Sequence, residues 1–263
     1  MKKTILLLLT LVLSVNYLNA AGFAASRDFY QIKVYHFKNE AQQKTVEDFL
    51  KQAYLPALHR KGIAKVGVFK PVPSSSNSQL TENVVYVFIP FSSYKAFAEL
   101  EKSLEKDQKY QEDGKEYLDA TIAGPAYERM ETILLNAFTG STHFNLPKLT
   151  GPMKDRIYEL RSYEGPSEKL YWNKVAMFNK GDEIGLFKRL NFNAVFYGEV
   201  VAGSRMPNLM YLTTFENKAD RDEHWKAFSA DDYWKKLSAM PEYKNNVSKN
   251  DTRLLYPVDY SDI

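Results

Sequence analysis

The sequence contains no cysteine among its 263 residues. It can therefore form neither a disulfide nor a thiolate metal site, and its stability has to come from apolar burial. Its four histidines supply no metal motif either, because none lies at helical spacing from another and no HExxH sequence occurs. Nucleotide-binding loops and the GxSxG motif of serine hydrolases are missing as well. The chain thus carries no catalytic motif that is recognisable from sequence.

An excess of charge of one sign is also missing. The chain has 35 basic and 32 acidic residues, and removing Lys2 and Lys3 from the net charge of +3 leaves +1. Such a balance provides no electrostatic surface for nucleic acid or for an anionic membrane. The apolar run from Ile5 to Leu13 is too short to span a bilayer, and no later run approaches 18 apolar residues. We therefore expect no nucleic-acid partner and no membrane span.

The N-terminus has the three-part layout of a secretory signal peptide. Lys2 and Lys3 precede the apolar run, and small and polar residues follow it up to Leu-Asn-Ala at Ala20. We expect a signal peptide over residues 1–20, cleaved after Ala20 or, as the second choice, after Ala24. A buried N-terminal helix is the alternative. The mature protein is then exported, either to the periplasm or out of the cell.

Two stretches begin a strand in the same way. RDFYQIKVYHF starts at Arg27 and RIYELRSYEG starts at Arg156, and both are followed by helix, strand, strand, helix and strand patterns. In the first half, strands are predicted at Phe29–Phe37, Val66–Val72, Val84–Ile89 and Met130–Phe138. In the second half, they are predicted at Tyr158–Tyr163, Asn193–Val201, Leu209–Phe215 and Asp251–Val258. The longer helices are predicted over Ser93–Ala120, Ser167–Leu190 and Lys218–Ser238.

This order of elements is that of the split βαβ, ferredoxin-like unit. The sequence therefore predicts an α+β fold with two tandem ferredoxin-like (βαββαβ) domains, at residues 28–138 and 156–260. A segment rich in Gly, Pro, Ser and Thr, at residues 139–155, reads as the linker. Helices cover one face of such a sheet, so the other face needs a cover too. We expect the two sheets to pack face to face as a dimeric α/β barrel.

Strand alternation divides the first strand of each half into two faces. Ile32 and Val34 lie on an apolar face, which we assign to the helices together with His36. The other face is amphiphilic, and we assign it to the partner sheet. Its residue types correspond between the halves: Gln31 with Glu159, Lys33 with Arg161, and Tyr35 with Tyr163.

Charged side chains between two sheets need partners, because burying a lone charge is costly. Glu159 and Arg161 either pair with each other as a structural ion pair or line a cavity between the sheets. In the second interpretation Glu159, Arg161 and Tyr163 bind a small polar or anionic ligand. Lys33 and Tyr35 are then their counterparts in the first half.

His59, in the sequence LHRKG, is the sixth candidate site residue. It either ligates a haem or caps the end of the first helix together with Arg60 and Lys61, which the helix dipole favours. We predict no cofactor and no metal, with haem as the alternative.

The motif YELRSY, at Tyr158–Tyr163, resembles the opening strand of NIPSNAP domains. The run LMYLTTFENKADRDEHWKAFSADDYWKKL, from Leu209, is similar to the third strand and second helix of that family. The resemblance covers Arg156–Val258 well and Phe29–Phe138 more weakly, since YQIKVY lacks the Glu and the Arg. It implies a dimeric α/β barrel of ferredoxin-like units and transfers no catalytic residues. More distant relatives of the barrel include cofactor-free monooxygenases and haem proteins.

Two functions stay open at this point. In the first, the barrel binds a small, partly apolar ligand or a protein partner, and the chain is compatible with a homo-oligomer. In the second, the protein is an enzyme of the monooxygenase-like type, cofactor-free or haem-linked, that acts on a small organic substrate. The missing motifs favour the first. A pair of carboxylates or a His–acid pair in the cavity would favour the second.

Overall fold

The computed structural model describes residues 26–73 and 83–263, so the predicted signal peptide lies outside the described residues. In this part of the chain, strands close into a barrel of eight. They are β1 (Phe29–His36), β2 (Gly67–Pro71), β3 (Val84–Phe91), β4 (Arg129–Ala137), β5 (Ile157–Glu164), β6 (Phe196–Ala202), β7 (Asn208–Phe215) and β8 (Lys249–Pro257).

Helices cover the outside of the barrel. In the first half they are α1 (Glu40–Phe49), which continues through a π-helical turn (Leu50–Tyr54) into α2 (Leu55–Arg60), then α3 (Tyr94–Leu104), α4 (Gln108–Asp113) and α5 (Lys115–Leu118). In the second half they are α6 (Glu168–Asn179), α7 (Glu183–Arg189), α8 (Lys218–Ala230) and α9 (Asp232–Ala239). Among the described residues, every helix is too short or too polar to cross a bilayer.

Side-chain caps explain where several of these helices begin. Ser93, Ser167 and Asn217 each have an extended backbone, and their side chains accept a hydrogen bond from a backbone N–H of the first helical turn. Such a bond satisfies a donor that has no partner inside the helix. Asp231 caps α9 in the same way, and its extended backbone ends α8 at Ala230.

All neighbouring strands are antiparallel, in the order β1-β3-β2-β8-β5-β7-β6-β4. Within each half the first strand is central: β1 pairs with β3 and β4, and β5 pairs with β7 and β8. The halves join where β2 meets β8 and where β4 meets β6. Four antiparallel steps separate β1 from β5, so both strands end at the same rim of the barrel. The predicted mixed fold and closed barrel are confirmed.

The assignment of the two strand faces was wrong. Ile32 and Val34 point into the barrel, where they share an apolar cluster with Leu160 of the other half. Tyr35 instead packs under the helices of the first half, and Tyr163 packs against the helix-side cluster of the second half. The physical reason is that a closed barrel excludes water and is filled by apolar side chains, while the helices supply partners for the charged ones.

Candidate functional site

A pocket of about 310 Å³ lies between the sheet and the helices of the second half. The strands β5, β7 and β8 form its floor and the helices α6 to α9 form its walls. The lining residues are Arg161, Tyr163, Lys174, Glu183, Phe187, Tyr211, Trp225, Phe228, Ser229, Trp234 and Asn250. We call it the helix–sheet pocket.

Arg161 brings a positive charge into this pocket. Its guanidinium carbon lies 4.3 Å from the centroid of the Trp225 ring and 5.4 Å from that of Tyr163. Its ion-pair contact with Glu159 is long, at 3.5 Å between Nη1 and Oε1. The buried Nε of Arg161 has no hydrogen-bond partner among the residues that the structure describes. Arg161 is therefore held by aromatic faces and incompletely neutralised.

Glu159 cannot serve Arg161 better, because helix α8 already occupies both of its oxygens. Arg221 donates to Glu159 from Nε at 2.8 Å and from Nη2 at 2.9 Å, and Trp225 donates from Nε1 at 2.6 Å. The Glu159 side chain is 0% exposed. This bidentate arrangement satisfies a buried carboxylate and fixes α8 on the sheet.

Lys174 and Glu183 form a second buried ion pair at the wall of the pocket. Nζ of Lys174 donates to Oε2 of Glu183 at 2.9 Å, and both side chains are buried. The Lys174 ammonium also lies 4.8 Å from the ring centroid of Phe178. Glu183 is therefore paired with Lys174. Of the two cations that line the pocket, Arg161 is the one without a carboxylate of its own.

Two phenol hydroxyls complete the polar part of the pocket. The oxygens of Tyr163 and Tyr211 are 2.8 Å apart and hydrogen-bonded. Burial raises the pKa of Tyr163 to about 12, although the nearby Arg161 opposes the shift. Burial also raises the pKa of Tyr211 well above its ordinary value. Both phenols are therefore neutral at physiological pH and act as hydrogen-bond donors and acceptors, not as bases.

Three of the six candidate residues from the sequence meet in this region. Arg161 and Tyr163 line the helix–sheet pocket, and Glu159 lies directly beneath it. Glu159 and Arg161 do contact each other, as the structural interpretation expected, but at a distance of 3.5 Å. The main partner of Glu159 is Arg221, which donates two hydrogen bonds to it.

Lys33 and Tyr35 lie in the equivalent layer of the first half. The ammonium of Lys33 lies 4.9 Å from the ring centroid of Tyr54 and 5.7 Å from that of Tyr35. Desolvation lowers the pKa of Lys33 to about 8. His59 is on α2, where its Nε2 is 2.8 Å from Oδ2 of Asp262. None of these three residues lines the helix–sheet pocket.

Sequence reasoning missed Lys174, Glu183 and Trp234. One signal was available for the lysine: Tyr171, Lys174 and Phe178 share one face of α6, so a charge sits on a stripe that is otherwise apolar. Within residues 26–73 and 83–263, no group of three or more His, Cys, Asp or Glu side chains is arranged to hold a metal ion.

The family comparison falls on the half that contains the helix–sheet pocket. Residues 158–262 match the model of the NIPSNAP family. The resemblance to NIPSNAP is confirmed there. No curated protein sequence matches the chain. The helix–sheet pocket lies entirely within the NIPSNAP-matching half, from Arg161 of β5 to Asn250 of β8.

Solved structures resemble the whole barrel at low sequence identity. A proposed monooxygenase from Fusobacterium nucleatum has a TM-score of 0.56 and 8% identity, covering 89% of this chain and 93% of its own. A proposed monooxygenase from Lactobacillus acidophilus has a TM-score of 0.53 and 10% identity, covering 88% and 94%. An anthrone oxidase-like protein has a TM-score of 0.51 and 11% identity, covering 89% and 93%. At such identities the likeness shows the fold alone.

Proposed function

We propose that the NIPSNAP-matching half binds a small organic molecule that carries an anionic oxygen group, and that the helix–sheet pocket is the binding site. The observation that carries this proposal is the Arg161 guanidinium, which lies in the pocket without a fully committed carboxylate. A guanidinium is a fork of five donors and matches a carboxylate or phenolate oxygen well. Its electrostatic attraction to an anionic ligand is stronger here than in water, because the surroundings are desolvated.

The remaining lining defines the rest of the ligand. Phe187, Trp225, Phe228 and Trp234 form aromatic walls that favour a flat, partly apolar body. The hydroxyls of the Tyr163–Tyr211 pair are available for a second polar group on the ligand. A small aromatic carboxylate combines these features, and its volume suits a pocket of about 310 Å³.

Tryptophan fluorescence tests this proposal directly, because two of the three tryptophans line the pocket. Trp172 is 63% exposed, so a Trp172→Phe background leaves only Trp225 and Trp234 as reporters. We expect sodium benzoate to cause a saturable change, and neutral benzyl alcohol to bind more weakly.

Two arginine variants in the same background show whether benzoate binds in the pocket or is attracted to arginines elsewhere on the protein. Arg161→Gln should weaken benzoate binding at least about tenfold, which is the loss expected for one charge-assisted hydrogen bond. Arg60→Gln removes an exposed arginine outside the pocket and should leave binding unchanged. Equal binding by the Arg161→Gln variant, or no saturable signal from several small carboxylates, would contradict the proposal.

The second candidate function is catalysis in the same pocket, as a monooxygenase-like enzyme on a small organic substrate. Arg161 beside the Tyr163–Tyr211 pair favours it, because preorganised donors stabilise negative charge that develops on a substrate oxygen. Oxygen uptake with small phenols, followed by product analysis, tests this candidate. Turnover that is lost in Tyr211→Phe would support it, and turnover unaffected by that change would place the chemistry elsewhere.

We also propose that the two halves are tandem ferredoxin-like domains, at residues 28–138 and 156–260, joined by residues 139–155. The equal order and pairing of strands in both halves support this. The signal-peptide pattern supports export to the periplasm or beyond. An intact mass of the mature protein that begins at Ala21 or Ala25 would agree with export, and a retained N-terminus would not.

A further inference from the structure

A second cavity, of about 300 Å³, opens at the rim of the barrel where β1 and β5 end. We call it the barrel-mouth cavity. It lies inside the barrel, and residues of both halves line it. Side chains alternate along a strand, so it is on the opposite face of β5 from the helix–sheet pocket. Its apolar floor consists of Val34, Ile133, Leu160, Val200 and Met210.

Asn208 brings a buried amide to this cavity. It begins β7, lines the cavity and is only 2% exposed. Its Nδ2 donates to the hydroxyl oxygen of Ser162 at 2.9 Å. Its Oδ1 is buried and has no hydrogen-bond partner among the described residues. A buried amide oxygen that accepts no hydrogen bond is costly, so it marks a position where a donor is expected.

Ser162 is the second polar group at this position. It lines the cavity, is buried, and is paired with Met210 in the ladder between β5 and β7. Asn208 precedes Met210 by two residues and therefore lies on the same, inward face of β7. The Ser162 oxygen accepts from Asn208, and the hydroxyl keeps its own proton as a donor. The two side chains thus present an acceptor and a donor next to an apolar floor.

The carboxylates of the cavity are paired with cations of the protein. Oε1 of Glu131 lies 2.7 Å from Nε2 of His36 and 2.9 Å from Nη2 of Arg129, and Asp251 pairs with Arg205. Among the described residues that line the cavity, Oδ1 of Asn208 is the one buried side-chain nitrogen or oxygen without a hydrogen-bond partner. Recognition by this cavity therefore depends on a hydrogen-bond donor and not on a charge.

We propose that the barrel-mouth cavity binds a small neutral alcohol with an apolar body. The hydroxyl group of the alcohol donates to Oδ1 of Asn208 and accepts from the hydroxyl of Ser162. Its apolar body lies against Val34, Leu160 and Met210. A hydroxyl group suits this position because one oxygen both donates and accepts. An ether or a carboxylate has acceptors only and would leave the amide oxygen unpaired, and such sites discriminate against analogues that lack the donor.

Calorimetric titration of the full chain with hexanol and with methyl pentyl ether tests the donor. The two compounds are isomers, and the ether lacks only the hydroxyl proton. We expect the ether to bind at least about tenfold more weakly, because it leaves Oδ1 of Asn208 unpaired. Sodium hexanoate, which has no donor at neutral pH, should be weaker by a similar factor. Equal binding of hexanol and the ether, tighter binding of hexanoate, or no heat with hexanol would overturn the proposal.

A series of primary alcohols tests the apolar floor. From butanol through pentanol to hexanol, each added methylene should tighten binding about fourfold while it still enters the barrel. Equal dissociation constants along the series would show that the chain of the alcohol stays outside the cavity, and would contradict the proposed placement.

The asparagine is tested by the ratio of two dissociation constants, ether over hexanol. In Asn208→Leu the amide oxygen is gone, so the ratio should fall to within about threefold of unity. Asn145→Leu is the matched control at an exposed asparagine outside the cavity, and it should keep the ratio of the unaltered protein. An unchanged ratio in a folded Asn208→Leu variant would exclude the amide as the recognition group.

Nuclear magnetic resonance of the unaltered protein gives the location without any variant at Asn208. Isotope-labelled hexanol should show nuclear Overhauser contacts to the methyl groups of Val34, Leu160 and Val200. In the Trp172→Phe background, hexanol should leave the fluorescence of Trp225 and Trp234 unchanged, because both line the helix–sheet pocket. Contacts only to methyl groups outside the cavity, or a saturable fluorescence change that follows hexanol binding, would place the alcohol elsewhere and refute the site.

Discussion

Glu159 shows how one buried charge can organise a site that it does not itself line. It receives two donors from Arg221 and one from Trp225, and these bonds hold α8 against the sheet. Trp225 in turn provides the aromatic face on which Arg161 lies. The position of the Arg161 charge thus depends on a carboxylate that is already committed to other partners.

Removal of this carboxylate should cost more than an average core substitution. Glu159→Ala leaves Arg221 and Arg161 without their common partner, and breaking a buried pair in this way costs about 3 to 5 kcal/mol of unfolding free energy. Urea denaturation measures the loss. Glu128→Ala, at an exposed glutamate, is the control and should stay within about 0.5 kcal/mol. A loss below about 1 kcal/mol for Glu159→Ala would contradict this role.

Lys33, the counterpart of Arg161, is desolvated, and its contacts with the rings of Tyr35 and Tyr54 do not offset the cost of burying its charge. Its folded-state pKa is lowered to about 8, mainly by burial. The unfolded chain therefore binds more protons between that pH and the ordinary lysine pKa, so the unfolding free energy rises with pH across this window. At pH 7 the protonated Lys33 destabilises the folded state.

Lys33→Met should accordingly stabilise the protein at pH 7, by about 1 to 2 kcal/mol. The advantage over the unaltered chain should shrink as the pH rises through 8 towards 10, because neutral Lys33 no longer carries a desolvation cost. Chemical denaturation at several pH values measures both quantities. A destabilised variant at pH 7, or a difference that does not change with pH, would contradict the expectation.

At the scale of elements, the start of α9 connects fold and pocket. Asp231 accepts hydrogen bonds from the backbone N–H groups of Tyr233 and Trp234, and it also binds Arg189 of α7. The bond from Arg189 is the main reason why the pKa of Asp231 is lowered to about 2. Its contribution to stability is complete above the ordinary aspartate pKa and is lost as the pH falls through about 2.

Asp231→Ala should therefore lower the Tm at pH 7 and loosen the pocket wall that carries Trp234. Loss of such a cap leaves backbone N–H groups at the start of the helix without an acceptor and so destabilises the helix. The fall in Tm between pH 4 and pH 2 should be smaller in the variant than in the unaltered protein. Asp232→Ala is the control, since the neighbouring Asp232 side chain is 88% exposed. Equal Tm values for the two variants would rule out the cap as a determinant.

Strand patterns predicted this fold better than helix patterns did. Alternation located β1, β3, β5 and β7 closely, but the single helix predicted over Ser93–Ala120 is three helices, and the one over Lys218–Ser238 is two. The breaks occur at capping residues such as Asp107 and Asp231, whose side chains bind backbone N–H groups inside a helical run. Hydrophobic periodicity gives no information on such side-chain hydrogen bonds, which compete with the hydrogen bonds inside a helix.

The site was predictable only in part, because the sequence does not show which face of a strand the helices cover. Arg161 and Tyr163 are noticeable as a charge and a phenol on a strand, and both line the pocket. Which side of the strand meets helices depends on whether the barrel closes, and alternation is identical in both cases. His36 was therefore assigned to the helix side, although it lines the barrel mouth beside Glu131.

At the scale of the whole molecule, the chain completes its own barrel. The eight described strands each have two neighbours, so none of them presents a free edge for pairing with another chain. We therefore expect any self-association, followed by light scattering after size-exclusion chromatography, to proceed without the pairing of strand edges. A stable dimer at micromolar concentration would show that a helical surface, and not a strand edge, mediates assembly.

Arg161 is proposed above to hold an anionic ligand in the helix–sheet pocket. The first test is native mass spectrometry of the protein purified gently from its own source, side by side with the Arg161→Gln variant. We expect a discrete mass above that of the chain, of roughly a few hundred daltons or less, which is lost on denaturation and absent from the variant. Bare chain mass for both proteins after incubation with small aromatic carboxylates, or the same added mass on both, would contradict it.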